Sequence, residues 1–561
     1  MKKSISIPAF IFKSGYGENT TSKTIKRQDD VLELEFPIFQ KNEVLEVASR
    51  LAKKKRRAHN RHIDEVLDII DQVGNLWRDP NYDIRKEVLE VLPIMTGQSK
   101  KLCEVELDGT LEMWDRKYTE IQLKSELGGK EYLEEWVQKR STRIHAQPRG
   151  LILHNMAGNA FNLGMLSLFY GLITKNVNLI KLSHGEPFMA IKLCESIADV
   201  DDKIAKEIAA LYWRGSKTEI YDALFNSGWV DGVLAWGGIH SIEEIRRRAN
   251  RFGIKIIDHG PKISFSVISE SIFKDKNKME EIAQKIAVDA VCWNQKACLS
   301  PRVIYIMDDP QESAVYKEEG QNTLSNKSQN DRKTLDNPVL DSLSDIPTRN
   351  NENGTNIETL MQRSIKQLRN QYSELSPMGF AKMLADGLKL TDKILPRANL
   401  THSDGLSVER KREYFFMNYV TKKRATILTP PMDKLDWTVV FLRDLPNRKE
   451  IDMCQNRFLI VTRISSIEDL IHSIRKEKLQ RYLQTVSIYG SDNFIKEVAE
   501  ELSLAGAYRF PKVGEHNNHP IGMPWDGHYV LQDLTKWVYI GHLDQKVKEE
   551  DQLSFFNDLD F

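Results

Sequence analysis

Residues 149–183 read RGLILHNMAGNAFNLGMLSLFYGLITKNVNLIKLS. RGLILHNMAGNAF is a short apolar strand that ends in a Gly/Asn turn. LGMLSLFYGLITKN follows as a helix with Asn176 near its end, and VNLIKLS is a second strand. Working forward, EPFMAIKLCESIAD reads as a helix, VDGVLAWGG as a strand, SIEEIRRRANRFG as a helix and IKIIDHG as a strand. Strand–helix alternation at this pitch predicts a parallel, doubly wound sheet. VNLIKL and DGVLAW are apolar on both faces, as a sheet covered on both sides requires. Residues 146–263 are therefore expected to form a Rossmann-like, cofactor-binding α/β domain.

Working backward, residues from about 41 to 145 keep apolar residues at helical spacing. They predict a helical N-terminal region, 1–145. The basic run Lys53 to Arg57 reads as a solvated helix face. The opening MKKSISIPAFIFK reads as a strand or arm, since Lys13 interrupts its apolar stretch and no small-residue cleavage site follows. Beyond 263, ISFSVIS starts a second α/β domain, 264–480. There the helix KMEEIAQKIAVDAVCW precedes NQKACLSPRVIYI. The polar stretch of about 312–356 predicts a surface insertion, followed by the helix IETLMQRSIKQLRNQYSEL. NRFLIVTRI and LQTVSIYG read as strands around the helix SSIEDLIHSIRKEK. Residues 481–561 complete the fold and offer oligomer contacts.

The chain has 561 residues, enough for about two or three domains. Hydrophobic residues make up 41% and charged residues 29%, a globular balance. Lys+Arg and Asp+Glu both number 80, so net charge points to neither nucleic acid nor an acidic surface. The 5 cysteines are odd in number and lack CxxC spacing. A disulfide framework or zinc site is not expected, and a reducing, cytoplasmic compartment is. No apolar run approaches the roughly 18–20 residues of a membrane helix.

Four places can carry chemistry. Cys298 follows a polar turn and leads into an apolar strand, where a thiolate nucleophile could be held. Cys292, on the apolar helix before it, reads as an inert core residue. Asn159 lies where a strand hands over to a helix, and its amide could donate to an oxyanion. A positive-φ turn at Gly158–Asn159 is the plainer reading. Lys181 closes a buried strand at the carboxyl edge of the sheet, where doubly wound folds bind nucleotides. Gly237 and Gly238 join a strand to a helix, so N–H groups and helix dipole could face a pyrophosphate. The chain has neither GxGxxG nor a Walker loop.

Taken in order, these segments resemble the aldehyde dehydrogenase superfamily. They are Asn159-Ala160-Phe161, Lys181-Leu182-Ser183-His184, Trp236-Gly237-Gly238, Asp258-His259-Gly260-Pro261-Lys262 and Asn294-Gln295-Lys296-Ala297-Cys298. The likeness is closer to one branch, the LuxC-type acyl-CoA reductases that supply fatty aldehyde in bacterial bioluminescence. LHNMAGNAFN, KNVNLIKLS, WGG, DHGPKISFSV, NQKACLSP, CQNRF, LQTVSIYG and DGHYVLQDLTKWV carry it, over roughly residues 140 to 540.

The resemblance implies an aldehyde-dehydrogenase-like fold and NADPH-dependent reduction of a long-chain acyl thioester to the aldehyde. Cys298 would carry the acyl group, and Asn159 with the Cys298 N–H would hold the oxyanion. Lys181, Ser183 and His184 would contact the adenosine ribose, and Gly237 and Gly238 the pyrophosphate. The superfamily's water-activating glutamate falls near Asp258 and His259, which would instead manage protons. Its loss fits transfer of the acyl group from a thiol rather than hydrolysis. An acyl-protein synthetase partner and a homo-oligomer are also implied. A short-chain CoA-acylating aldehyde dehydrogenase, or a cysteine acyltransferase or thioesterase without redox chemistry, stays open on the residues alone.

Overall fold

Two six-stranded sheets organise the chain. A computed structural model describes residues 2–11, 19–27, 30–139, 142–309, 375–397, 399–431 and 434–541. The expected insertion of about 312–356 lies outside them, as does all but the last residue of the helix expected after it.

The first sheet runs Lys255–His259, Gly232–Trp236, Leu151–Asn155, Val177–Lys181, Ile208–Leu211, Phe10–Ile11. Its first five strands are parallel, and Phe10–Ile11 closes the edge antiparallel. Every residue of its three central strands is buried, as their all-apolar reading requires. His154, Asn155 and Asn178 are paired inside. The His154 imidazole meets Ser167 Oγ at 2.8 Å and Asn178 Oδ1 at 2.9 Å. Burial pushes it down to about 4, so the ring is neutral. The sequence reading misses one unit here, strand Ile208–Leu211 and helix Thr218–Asn226. A wholly buried four-residue strand has no alternation to announce it.

The N-terminal region combines a small sheet with helices. Strands Lys2–Ser6, Asp30–Pro37 and Thr20–Arg27 form a small sheet, and six helices follow between Lys41 and Leu127. Helix Lys41–Ala52 buries Val44, Val47, Ala48 and Leu51 against Leu153, Leu179 and Ala209 of the first sheet. In the basic run Lys53, Arg56 and Arg57 are exposed, as a solvated face requires, while Lys54 and Lys55 dock. Lys54 donates to the Lys206 carbonyl. Lys55 reaches the Trp229 carbonyl at 2.6 Å and Asp231 at 2.5 Å. Helical structure ends before 145: Val137–Lys139 and Thr142–Pro148 form a sheet with Thr535–Ile540.

The second sheet runs Ala425–Leu428, Thr438–Leu442, Phe458–Ile464, Pro301–Met307, Ile263–Ser269, Leu483–Tyr489. Only the Ala425–Leu428 pairing is antiparallel. Leu483–Tyr489 thus belongs to the edge of this sheet. Helices Lys276–Val291 and Pro377–Ile394 cover one face, and Ile467–Lys476 and Asp492–Leu504 the other. Among the described residues no helix is long and apolar enough to cross a membrane.

Candidate active site

The carboxyl ends of strands Leu151–Asn155 and Gly232–Trp236 open onto a cavity of about 600 Å³. From these neighbouring strands the sheet order departs in opposite directions, which leaves a crevice between their loops. The second sheet reaches the same cavity through the turn before Pro301–Met307. Asn159, Lys181, Gly237, Gly238, His259 and Cys298 all line it.

Cys298 is the only one of the five cysteines on that wall. Burial and then the Asp526 charge push its thiol up to about 11, while a bond from Gln484 and backbone N–H groups at 298 and 299 favour the thiolate. Cys454 is raised to about 12, and burial raises Cys103, Cys194 and Cys292 further. Cys298 therefore ionises most readily of the five.

Asn159 is exposed and donates from Nδ2 to the Lys296 carbonyl at 3.2 Å. That bond ties the cofactor-side turn to the cysteine turn. The positive-φ reading of Gly158–Asn159 does not hold, for neither residue is left-handed. Glycine stands at 158 for space instead. A Cβ there would meet Ser183 Oγ at 2.6 Å and the Gly185 Cα at 2.7 Å.

Lys181 is buried at its strand end, and desolvation pushes its ammonium down to about 8. Gly238 is the N-cap of helix Ile239–Asn250 and makes no side-chain cap. A Cβ at Gly238 would meet nothing within 4 Å, so the helix start is open. Ser183 and His184 lie beyond the cavity wall. Ser183 Oγ accepts from the Gly185 N–H at 3.1 Å. His184 is exposed, with ring contacts of 5.9 Å to Phe36 and Tyr212. Burial and the charges of Lys23, Arg214 and Lys181 lower its pKa. Asp258 is not brought into the cavity either. Its carboxylate bonds Arg246 at 2.7 Å, on the helix that follows the Gly-Gly turn.

The cysteine turn holds what the sequence reading did not find. The helix expected to include Cys292 ends at Val291. Trp293, Asn294 and Gln295 are then left-handed, with φ of 57°, 48° and 59°. Such residues cost of order 1–3 kcal/mol each and persist only when their surroundings over-determine them. Glu106 accepts the Trp293 N–H at 2.6 Å. Asn294 donates to the Gly97 carbonyl at 2.7 Å and accepts from Arg457 Nε at 3.0 Å. Gln295 donates to the carbonyls of Pro301 and Phe458 at 2.9 Å and accepts the Phe458 N–H at 2.7 Å. Ser264, at a register shift between strands, donates to the Cys298 carbonyl at 2.8 Å. The turn is thus bound on every side, and it presents Cys298 to the cavity.

Comparisons with known proteins bear on the fold and the family. The acyl-CoA reductase (LuxC) family matches residues 58–376 and 368–537. A long-chain acyl-protein thioester reductase of Aliivibrio fischeri is 24% identical over 483 residues, 85% of this chain and 82% of that protein. One from Vibrio harveyi is 28% identical over 255 residues, 45% of this chain and 52% of that protein. Among solved structures, an NADP-dependent glyceraldehyde-3-phosphate dehydrogenase from Bacillus halodurans, complexed with NADP, aligns with a TM-score of 0.62 at 14% identity. It covers 96% of this chain and 99% of its own. Lactaldehyde dehydrogenase from Escherichia coli aligns at 0.59 and 14%, over 96% and 99%. The chain has the aldehyde dehydrogenase fold, and it belongs to the acyl-CoA reductase (LuxC) family of oxidoreductases.

Proposed function

We propose that the chain is an NADPH-dependent reductase that takes a long-chain acyl group from a CoA or protein thioester onto Cys298 and releases it as the aldehyde. The observation that carries this reading is the single cavity shared by Cys298, Asn159 and the nucleotide edge of the first sheet. The names of the relatives supply the substrate class.

The residues present fit a nicotinamide nucleotide. The open helix start at Gly238 can receive a pyrophosphate. Lys181 has no carboxylate beside it to satisfy its charge, as a group awaiting a phosphate or ribose should. Lys262, Lys296 and Arg302 add positive charge to the cavity wall, which suits the phosphates of nucleotide and CoA alike.

The cysteine sulfur attacks the thioester carbonyl and a C–S bond forms. The oxyanion accepts hydrogen bonds from the Asn159 amide and the Cys298 N–H. The carrier thiolate leaves, and the acyl group stays on Cys298. A bound nicotinamide supplies the hydride that reduces this acyl-enzyme. The thiohemiacetal on Cys298 then collapses to aldehyde and free cysteine. Asp258 is held by Arg246 outside the cavity and does not stand there to activate water. NADPH consumption with acyl-CoAs from acetyl to palmitoyl tests the reading. Turnover should rise with chain length. Activity confined to acetyl- and propionyl-CoA would mean a short-chain enzyme, and thiol release without NADPH consumption an acyltransferase or thioesterase.

The ribose edge sets the expected cofactor preference. Burial and then the charges of Lys23, Arg214 and Lys181 lower the His184 pKa and disfavour its protonation. His184 acts as a donor, and those three cations supply the charge a 2′-phosphate needs. His184→Glu places a carboxylate among them and should shift preference toward NADH, chiefly through a higher KM for NADPH. The change should stay within a few kcal/mol, since charge-assisted bonds are worth about 1.5–3 kcal/mol each and this edge is open to water. Steady-state kinetics with both cofactors decide it. An unchanged ratio would remove His184 from the ribose site.

A further inference from the structure

We infer that Asp526 and His259 form a proton-handling dyad for Cys298, with His259 as the base and Asp526 as the residue that positions it. The inference rests on the thioester reading above and adds to it the group that moves the proton.

His259 ends strand Lys255–His259 and lines the cavity. Its side chain is buried, as is that of Asp526. The two meet at 2.8 Å, Nδ1 to Oδ2. A carboxylate can only accept, so Nδ1 carries a proton, and a ring without a second proton has its lone pair at Nε2. Nε2 is buried and has no hydrogen-bond partner among the described residues. A buried nitrogen left unsatisfied in a cavity wall is costly in a merely structural histidine.

Three contacts fix the pair. The Trp236 ring stacks on the imidazole at 4.0 Å and 17°. Trp236 Nε1 is itself held by Ser167 Oγ at 3.2 Å. Asp526 and Gly527 occupy the tip of a tight turn, with φ of 51° and 81°. Trp525 and His528 close that turn with N–H···O bonds of 2.8 and 2.9 Å. Asp-Gly suits such a turn, which aims the carboxylate back at the cavity. Gln484 Nε2 donates to the other Asp526 oxygen at 2.5 Å, and Cys298 lies on the same cavity wall as Asp526 and His259. One polar chain therefore links Gln484, Asp526 and His259, on the wall that also carries Cys298.

The chemistry needs such a base. Cys298 is a thiol at neutral pH, because burial and Asp526 hold its pKa up. Burial alone would also raise Asp526, but the bond and charge of His259, Lys262 and Gln484 outweigh it and keep the carboxyl below its usual range. As the sulfur attacks, Nε2 takes the thiol proton and the S–C bond forms. Asp526 stabilises the resulting imidazolium. When the tetrahedral intermediate collapses, the carrier C–S bond breaks and Nε2–H gives the proton to the departing thiolate. The proton count closes on each acylation. The sulfur freed by aldehyde release regains a proton from water.

The test measures acylation alone, as thiol release from palmitoyl-CoA by the full chain in single turnovers without nicotinamide. Wild-type acylation tests the thioester reading, and the ratio of variant to wild-type rates tests the dyad. Asp526→Asn and His259→Gln should each slow acylation by roughly 100-fold or more, the usual scale for losing general base catalysis. Saturation with palmitoyl-CoA should move little. The pH profile separates a proton role from a packing role. The groups that face the pair are Lys262, Arg509, His519, and His528 bound to Asp533, and both variants retain all of them. The wild-type rate should level off well below the pH of the thiol's own ionisation, whereas the variant rates should keep rising about tenfold per pH unit toward it. Unfolding midpoints by circular dichroism guard against a folding defect in either single variant. Wild-type rates in both variants, or a loss that is the same at every pH, would overturn the dyad.

Discussion

Cys298→Ala should form no acyl-enzyme and release no aldehyde. Of the five cysteines only Cys298 faces the cavity, and the strained turn before it exists to put it there. Removing the sulfur leaves oxyanion donors and cofactor edge intact, so the variant should still bind NADPH. Mass spectrometry after mixing with palmitoyl-CoA should show one adduct on the wild type and none on the variant. Cys292 cannot substitute at neutral pH, since burial and then the charges of Glu106 and Asp289 push its thiol far up. An adduct retained on Cys292 would overturn the assignment of the nucleophile. The loss should be complete rather than graded, because hydride transfer needs the covalent acyl group as its substrate.

The two halves of this site differ in how far they could be read from the sequence. The cofactor edge was legible because local rules govern it. Lys181 and Gly237–Gly238 are strand ends in an alternating βα pattern, and the pattern fixes which edge they share. Cys298 was legible only through the order of several segments, since nothing nearby marks one cysteine as exceptional. The left-handed run at Trp293–Gln295 was not legible. Tryptophan and glutamine do not favour that backbone, and the groups that impose it come from Gly97, Glu106, Arg457 and Phe458. Asp526 is 267 residues from His259 in the chain, so no spacing could join them. Yet Arg457, Gln484 and Asp526 all lie in segments that carry the family resemblance, CQNRF, LQTVSIYG and DGHYVLQDLTKWV. The resemblance found the segments, and folding supplied their roles. Asp258 shows the converse: its sequence neighbourhood with His259 suggested a shared task, but successive strand residues point to opposite faces. One meets Asp526 and the other meets Arg246.

Asn159→Ala should slow acylation by roughly 100- to 1000-fold, the scale of losing one oxyanion donor. The amide carries two N–H groups. One already reaches the Lys296 carbonyl at 3.2 Å, two residues before the cysteine. That bond aims the amide at the cysteine turn and leaves the second N–H for the oxyanion. The donor is therefore oriented before substrate arrives and need not reorganise as charge develops. Its contribution falls on the transition state, so kcat should drop while KM for the acyl thioester moves little. Asn159→Asp sharpens the case. It keeps the size of the side chain but offers no donor when ionised, and its charge opposes the oxyanion. It should be at least as slow as the alanine variant. A purely structural Asn159 would behave differently. Losing its single tie to Lys296 would loosen the turn and raise KM with modest loss of kcat, and a neutral side chain of similar size would restore much of the rate. Single-turnover acylation and unfolding midpoints for the alanine and aspartate variants separate these outcomes, and near-normal turnover in either would return Asn159 to a role in the turn alone.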